Sequence, residues 1–150
     1  MKRTGFKRKP KKADRKPRPP NVSSLIKKLD LIFSRFIRWR DKWTCFTCDK
    51  RGGPGQIQNG HFVSRKHHNV RFDEMNCHAQ CVGCNVFKYG NMAEYSYRLL
   101  KKYGQKEFDD LIARGRQTKQ FTIQELQSLI EYYEAKVNEL ENAKGQSNRE

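Results

Sequence analysis

At 150 residues, with 35% apolar side chains against 32% charged, the chain has material for one small core and gains from a staple such as a bound metal. Its formal net charge of +16 favours a polyanionic partner, because lysines and arginines that neutralise phosphates release condensed counterions. No apolar run approaches the roughly 20 residues that cross a bilayer and the basic start leads into no apolar stretch, so neither a membrane span nor a signal peptide is expected, and the expected compartment is the cytoplasm.

Residues 1–20 hold ten Lys/Arg and one acid and have almost nothing to bury. That predicts a disordered basic tail, either an arm that tracks phosphates or a solubilising extension. Residues 21–104 carry a further +9 and residues 105–150 carry −2, which divides the chain into the tail, a basic central unit and a mildly acidic carboxy-terminal segment. In the central unit Leu25, Ile26, Leu29, Ile32, Phe33, Phe36 and Ile37 recur at helical spacing with Lys and Arg between them. Asn21 or Ser23 can cap the start, so a helix is predicted to about residue 42.

Cys45-Phe-Thr-Cys48 follows, then a glycine-rich turn over 51–55. Residues 56–63 alternate loosely as a strand, 64–69 make a polar loop, and 76–80 read as a second short strand or extended segment. After Cys81-Val-Gly-Cys84 a helix is predicted from Asn85 to about Tyr103, with Gly90 weakening its beginning and Gly104 as its stop. Phe108, Leu111 and Ile112 mark a short amphipathic helix. Thr122 and Glu125 have capping-box spacing. Behind them Ile123, Leu126, Ile130, Tyr133, Val137 and Leu140 step by threes and fours as a heptad seam. The seam suits packing on the chain's own first helix or pairing with a second copy as a homodimer. The expected fold class is α+β, with a long first helix, a metal-stapled centre and a helical carboxy-terminal segment.

Two C-x-x-C pairs in a reducing compartment point to metal rather than disulfides. Two thiolates reach one ion from each tight turn, so Cys45, Cys48, Cys81 and Cys84 are the expected ligands of a structural Zn²⁺. Cys77 has no such spacing and reads as a small apolar strand residue. The 32 residues between Cys48 and Cys81 exceed common zinc-finger spacings and contain all four histidines. The metal therefore closes the base of an excursion large enough to be a site.

Hydrolysis of a phosphodiester needs a base for water, a group that orients the base, and a cation that stabilises charge on the phosphate. Histidine suits the first role because it titrates near neutrality, and amide or carboxylate oxygens suit Mg²⁺. Gly60-His61 ends the first predicted strand, Asn76 stands five residues before Cys81, and Asn85 follows Cys84 directly. This order of His, Asn and Asn around a C-x-x-C resembles the zinc-containing HNH nucleases, the ββα-metal fold. Gly60-His61-Phe62, residues 71–76, His78-Ala79-Gln80-Cys81, Cys84-Asn85 and Gly90-Asn91, with Tyr103-Gly104-Gln105 and Phe121-Thr122-Ile123, are similar to the phage lambda NinG (Rap) recombination protein family.

The resemblance covers residues 25–140. It implies a phage-encoded endonuclease in the bacterial host cell that cuts branched recombination intermediates such as D-loops and Holliday junctions. On it His61 is the general base, Asn76 holds the imidazole, and Asn85 binds catalytic Mg²⁺ or Mn²⁺. Many zinc HNH nucleases carry an acidic metal ligand just before the base, where this chain has Gly60; His78 and Asp73 are the candidates to assist Asn85. The family's lambda member has a longer amino-terminal extension where this chain has its short basic tail. Arg65, Lys66, Arg71 and Lys88 are the expected DNA contacts. Each residue also has a plain structural reading: His61 and His78 as strand histidines, Asn76 as a turn residue, Asn85 as a helix cap, and His67 and His68 as part of a solvated loop. The competing functions are a non-catalytic zinc-dependent DNA-binding protein and an RNA-binding factor.

Overall fold

The structure, a computed structural model, describes residues 20–147, with side chains as far as Lys144. Apart from Pro20, the expected basic tail lies outside the described residues. Among the described residues the architecture is α+β: four α-helices around one two-stranded antiparallel sheet.

Helix α1 spans Val22–Arg40. Asn21 starts it with a reciprocal cap, its Oδ1 accepting from the Ser24 amide at 2.9 Å while Ser24 Oγ accepts from the Asn21 amide at 3.1 Å. Arg38 and Arg40 in the last turn complement the negative end of the helix dipole. The chain leaves α1 through Lys42 and Trp43, both left-handed, and enters the first cysteine knuckle.

Strands β1 (Ile57–His61) and β2 (Cys77–Cys81) pair antiparallel, with Asn59 opposite Ala79 and His61 opposite Cys77. Side chains alternate across a strand. One face therefore carries Ile57, Asn59, His61, Cys77, Ala79 and Cys81, and the other carries Gln58, Gly60, His78 and Gln80. A single 3-10 turn, His68–Val70, interrupts the excursion between the strands.

The helix expected from Asn85 onward is broken. A five-residue π turn, Gly83–Phe87, is followed by Tyr89, Gly90 and Asn91 at φ of 48°, 87° and 48°, and only then by α2 (Met92–Tyr103). Three left-handed residues cannot continue a right-handed helix. The Gly90 amide closes the reversal on the carbonyls of Cys84 and Asn85 at 2.9 and 3.1 Å.

Helix α3 (Gln105–Gly115) follows Gly104 at once, and α4 (Ile123–Ser147) starts on the Thr122–Glu125 capping box, with the Glu125 amide donating to Thr122 Oγ1 and the Thr122 amide donating to Glu125 Oε2. The seam of α4 is spent on the chain itself: Leu126, Ile130, Tyr133 and Val137 are buried against Leu25, Leu29, Phe33, Phe36 and Ile37 of α1. Tyr133 meets the Phe33 ring edge-on, with centroids 4.8 Å apart. A second core joins Val70, Tyr95, Leu99 and Leu111 under the other sheet face, and a third, small one surrounds the cysteines. The sheet is thus clamped between the α1–α4 pair and the α2–α3 pair.

Candidate functional site

The sulfur atoms of Cys45, Cys48, Cys81 and Cys84 all lie within 4.8 Å of one another, and Cys48 Sγ and Cys81 Sγ are 3.7 Å apart. Tetrahedral zinc with Zn–S bonds near 2.3 Å sets its sulfurs roughly 3.8 Å apart, so both the donor set and the spacing fit that ion. Local hydrogen bonds shape each knuckle beforehand. The Cys45 amide donates to the Lys50 carbonyl and the Asp49 amide to the Cys45 carbonyl, with Asp49 left-handed at φ 58°; the Cys84 amide points at Cys81 Sγ at 3.4 Å. Cys77 takes no part. It is fully buried in the α1–α4 core, a small apolar strand residue as its spacing suggests.

Beside this cluster opens a cleft of about 640 Å³ between α1, the end of β1 and the π turn. His61, Asn85 and Arg65 line it together. Nε2 of His61 is 3.1 Å from the Arg71 carbonyl. A carbonyl only accepts, so Nε2 carries the proton and Nδ1 keeps a free lone pair. Burial lowers the His61 pKa, with Arg71 and Arg65 adding to the effect, against the opposing pull of the Arg71 carbonyl and Asp30. The ring is therefore neutral at neutral pH. Asn85 donates through Nδ2 to Gln58 Oε1 at 2.7 Å, and its Oδ1 has no hydrogen-bond donor among the described residues.

Four expected residues stand elsewhere. Asn76, expected to hold the imidazole, makes no hydrogen bond to it among the described residues. Fully buried, it ties the excursion shut: Oδ1 accepts from the Val63 amide, and Nδ2 donates to the carbonyls of Val63 and Val70, each at 2.9 Å. The group on the imidazole is instead a backbone carbonyl. Asp73, a candidate metal ligand, caps the turn into β2 through the amides of Met75 and Asn76 and pairs with Arg114 of α3 at 2.8 Å.

His78, the other candidate, projects from the opposite sheet face. It is fully buried, stacked on Phe46 and within 3.2 Å of the Tyr103 hydroxyl, and burial drives its pKa down to about 2. Arg71, expected on phosphate, is turned inward. Its guanidinium forms a two-point pair with Asp30 and donates to the Arg65 carbonyl. Arg65, Lys66 and Lys88 are exposed, as a phosphate contact requires.

Sequence reasoning missed Asn59 and Asp30. Asn59 shares a strand face with His61 two residues on and lines the same cleft, and its Oδ1 is buried with no hydrogen-bond partner. The period of two was the signal available for it. Asp30 lines the cleft from α1 and supplies its one carboxylate among the described residues; nothing local in the helix pattern marks it. Gly60 also acquires a reason. A Cβ there would lie 2.0 Å from Gln80 Oε1, while Gln80 Nε2 is fastened to the Gly90 carbonyl at 2.7 Å, so the packing leaves no room for an acidic side chain.

The family model described as Bacteriophage Lambda NinG protein matches residues 2–143. The chain belongs to the NinG family. It is 32% identical to Protein ninG of Escherichia phage lambda over 124 residues, 81% of this chain and 60% of that protein. Protein ninG of Escherichia phage 933W matches at 32% with coverage of 81% and 61%, and that of Salmonella phage P22 at 30% with 81% and 60%. The chain spans about three-fifths of the length of these NinG relatives. No solved structure matches it. Among the described residues no helix is long and apolar enough to cross a membrane.

Proposed function

We propose that this NinG-family chain is a divalent-metal-dependent endonuclease of the zinc HNH type, acting on branched DNA recombination intermediates such as D-loops and Holliday junctions. The observation that carries the reading is His61, neutral and fixed through Nε2, in one cleft with the residues Asn85 and Asn59. His61 Nδ1 accepts a proton from the attacking water, while the Arg71 carbonyl holds the ring in that tautomer. Asn85 and Asn59 would hold Mg²⁺ or Mn²⁺ through Oδ1, a hard-oxygen set that suits these ions. The cation, when bound, supplies charge stabilisation for the phosphate and the leaving oxygen. Arg65 lines the cleft, Lys66 adjoins it in sequence, and Lys88 precedes the cleft residue Tyr89; these three bring positive charge to the DNA backbone. The four cysteines would hold a structural Zn²⁺ that ties the two knuckles to one another.

The test is Mg²⁺-dependent cleavage of a labelled four-way junction, a D-loop and a linear duplex by wild type and His61→Ala. Cutting of branched substrates that falls by about 10²- to 10⁴-fold in the variant, with DNA binding retained, is expected. Equal cutting by the two proteins would end the assignment of the base.

One observation favours a second reading, a non-catalytic DNA-binding protein on the same frame. The cleft's carboxylate, Asp30, is already paired with Arg71, which leaves only neutral oxygens for a cation. That reading requires salt-sensitive DNA binding without turnover in Mg²⁺ or Mn²⁺. Symmetric cutting of a four-way junction would need two copies, and since the α4 seam is occupied by α1, any pairing surface lies elsewhere. A monomer in sedimentation both free and on DNA would remove the dimer.

A further inference from the structure

A stiff aromatic turn stands at the mouth of the cleft, and the fold makes no use of its rings. Phe87 and Tyr89 are 76% and 87% exposed, with Lys88 between them. Tyr89 lies at φ 48°, a conformation that a tyrosine keeps only when its surroundings impose it. The surroundings do. The Gly90 amide is closed on the carbonyls of Cys84 and Asn85, the Gly90 carbonyl accepts from Gln80 Nε2, and the Asn91 amide donates to the Lys88 carbonyl at 2.8 Å. Cys84 belongs to the four-cysteine cluster, so the turn is anchored at its root.

Tyr89 lines the same cleft as His61 and Asn85, and the 75% exposed Leu31 of α1 adds a further apolar lip. The site thus combines polar groups with exposed apolar ones, among them the flat ring of Tyr89. A nucleotide has the matching halves, a phosphate and a base with two apolar faces. In an intact duplex those faces are stacked and hidden; next to a branch, gap or fork they are free.

We propose that Tyr89 and Phe87 stack on unpaired bases of DNA beside the phosphate seated at His61, so that the turn selects strand discontinuities over continuous duplex. The position of the phosphate rests on the nuclease reading, whereas the stacking is read by binding alone. Base–aromatic stacking tolerates any sequence, and the positive charge of Lys88 and Arg65 retains the backbone, so the preference is for structure and not for sequence.

The test titrates the full chain, without added divalent cation, against a forked DNA and a fully paired duplex of equal length and at equal salt. Wild type is expected to prefer the fork. Tyr89→Ala and Phe87→Ala should each weaken fork binding by about 5- to 100-fold and leave duplex binding within about twofold. Tyr89→Trp should keep the preference, and Lys88→Ala should weaken both substrates alike. 2-Aminopurine at the first unpaired position should be quenched by wild type and not by Tyr89→Ala. Both rings are exposed, and unchanged circular dichroism and metal content separate lost stacking from lost folding.

A wild type that binds fork and duplex equally, or ring variants that lose both substrates equally, would overturn the inference. So would self-association abolished by the ring variants while fork binding persists, which would assign the rings to a second copy. Tighter, ring-dependent binding of unpaired RNA would overturn the choice of DNA. Ring-dependent fork preference without any cleavage sustains this inference and defeats the nuclease reading; cleavage with ring-independent binding does the reverse.

Discussion

The Arg71 carbonyl that fixes Nε2 of His61 belongs to a residue whose side chain is anchored in turn by Asp30 of α1, forty-one positions away. The imidazole is thus aligned by a backbone atom, and the alignment is inherited from an ion pair between the first helix and the excursion. The pair is mostly buried, with 13% and 29% of the two side chains exposed, so removing one partner strands the other.

Asp30→Asn should therefore cost about 1–3 kcal/mol of stability. On the nuclease reading it should also lower kcat by about 10- to 100-fold with little change in KM, because the base is displaced and no substrate contact is lost. Denaturant titration and steady-state cleavage measure the two effects. An unchanged kcat at lowered stability would show that the Arg71 carbonyl keeps its place without its side chain.

On the nuclease reading, the depressed pKa of His61 sets the acid limb of activity. A base must be unprotonated, and burial holds this one below the ordinary value of about 6.5. On that reading the acid limb of cleavage should be centred below the ordinary histidine value of about 6.5. A limb centred at or above about 6.5 in kcat/KM would contradict the buried, neutral ring.

His78 makes a separate prediction about folding. Its pKa is pushed to about 2 by burial, helped by Arg40 and Lys102, so the unfolded chain takes up a proton that the native chain refuses. The stability this costs is zero above the unfolded value of about 6.5 and grows by roughly 1.4 kcal/mol for each pH unit below it. His78→Phe replaces the ring with one that cannot titrate, within the aromatic packing of Phe46 and Tyr95. The difference in unfolding free energy between the two proteins should shift towards the variant between pH 7 and pH 5, whereas protonation of the cysteines acts on both equally. A difference independent of pH would place His78 in contact with water.

Geometry separates the five cysteines into a cluster of four that could hold a metal and one that stands apart. Mass spectrometry under native conditions should find one Zn²⁺ per chain in wild type and in Cys77→Ala, and none in Cys81→Ser. Chelation should unfold the centre, since structural zinc contributes about 10–16 kcal/mol of apparent binding free energy in small domains. Cys77→Ala should cost only roughly 1 kcal/mol, from the small void it leaves in the α1–α4 core. Retention of metal by Cys81→Ser would disqualify the cluster.

How much of this was legible in the sequence depended on the range of the interaction. The apolar spacing of α1, the capping box at Thr122, the two knuckles and the strand ending at His61 are local patterns, and they appear in the structure close to where the pattern places them. Gly90 marked the start of the second helix as weak, but the full break at Tyr89-Gly90-Asn91 was not legible, because Gln80 of β2, distant in sequence, holds the Gly90 carbonyl. The sides of the sheet decided the rest. His78 and His61 are both strand histidines near the knuckles, yet the register opposes His78 to Gly60 and sends the two rings to opposite faces. Asn76 was expected to meet a side chain and met backbone, a difference that residue type alone cannot carry.

Gly60 tests that register directly. Gln80 is held by Gly90 and, at 3.2 Å, by Thr47, so it cannot easily yield to a methyl group placed 2.0 Å from its Oε1. Gly60→Ala should destabilise the protein by about 1–3 kcal/mol through overpacking. Gln80→Ala should destabilise it on its own by losing the clamp on the reversal. The double variant should then be at least about 1 kcal/mol more stable than the sum of the two losses predicts, because the clash disappears along with the amide. Strict additivity in that cycle would mean that residue 60 does not face Gln80, and the explanation of why this chain has no acid before its histidine would fall with it.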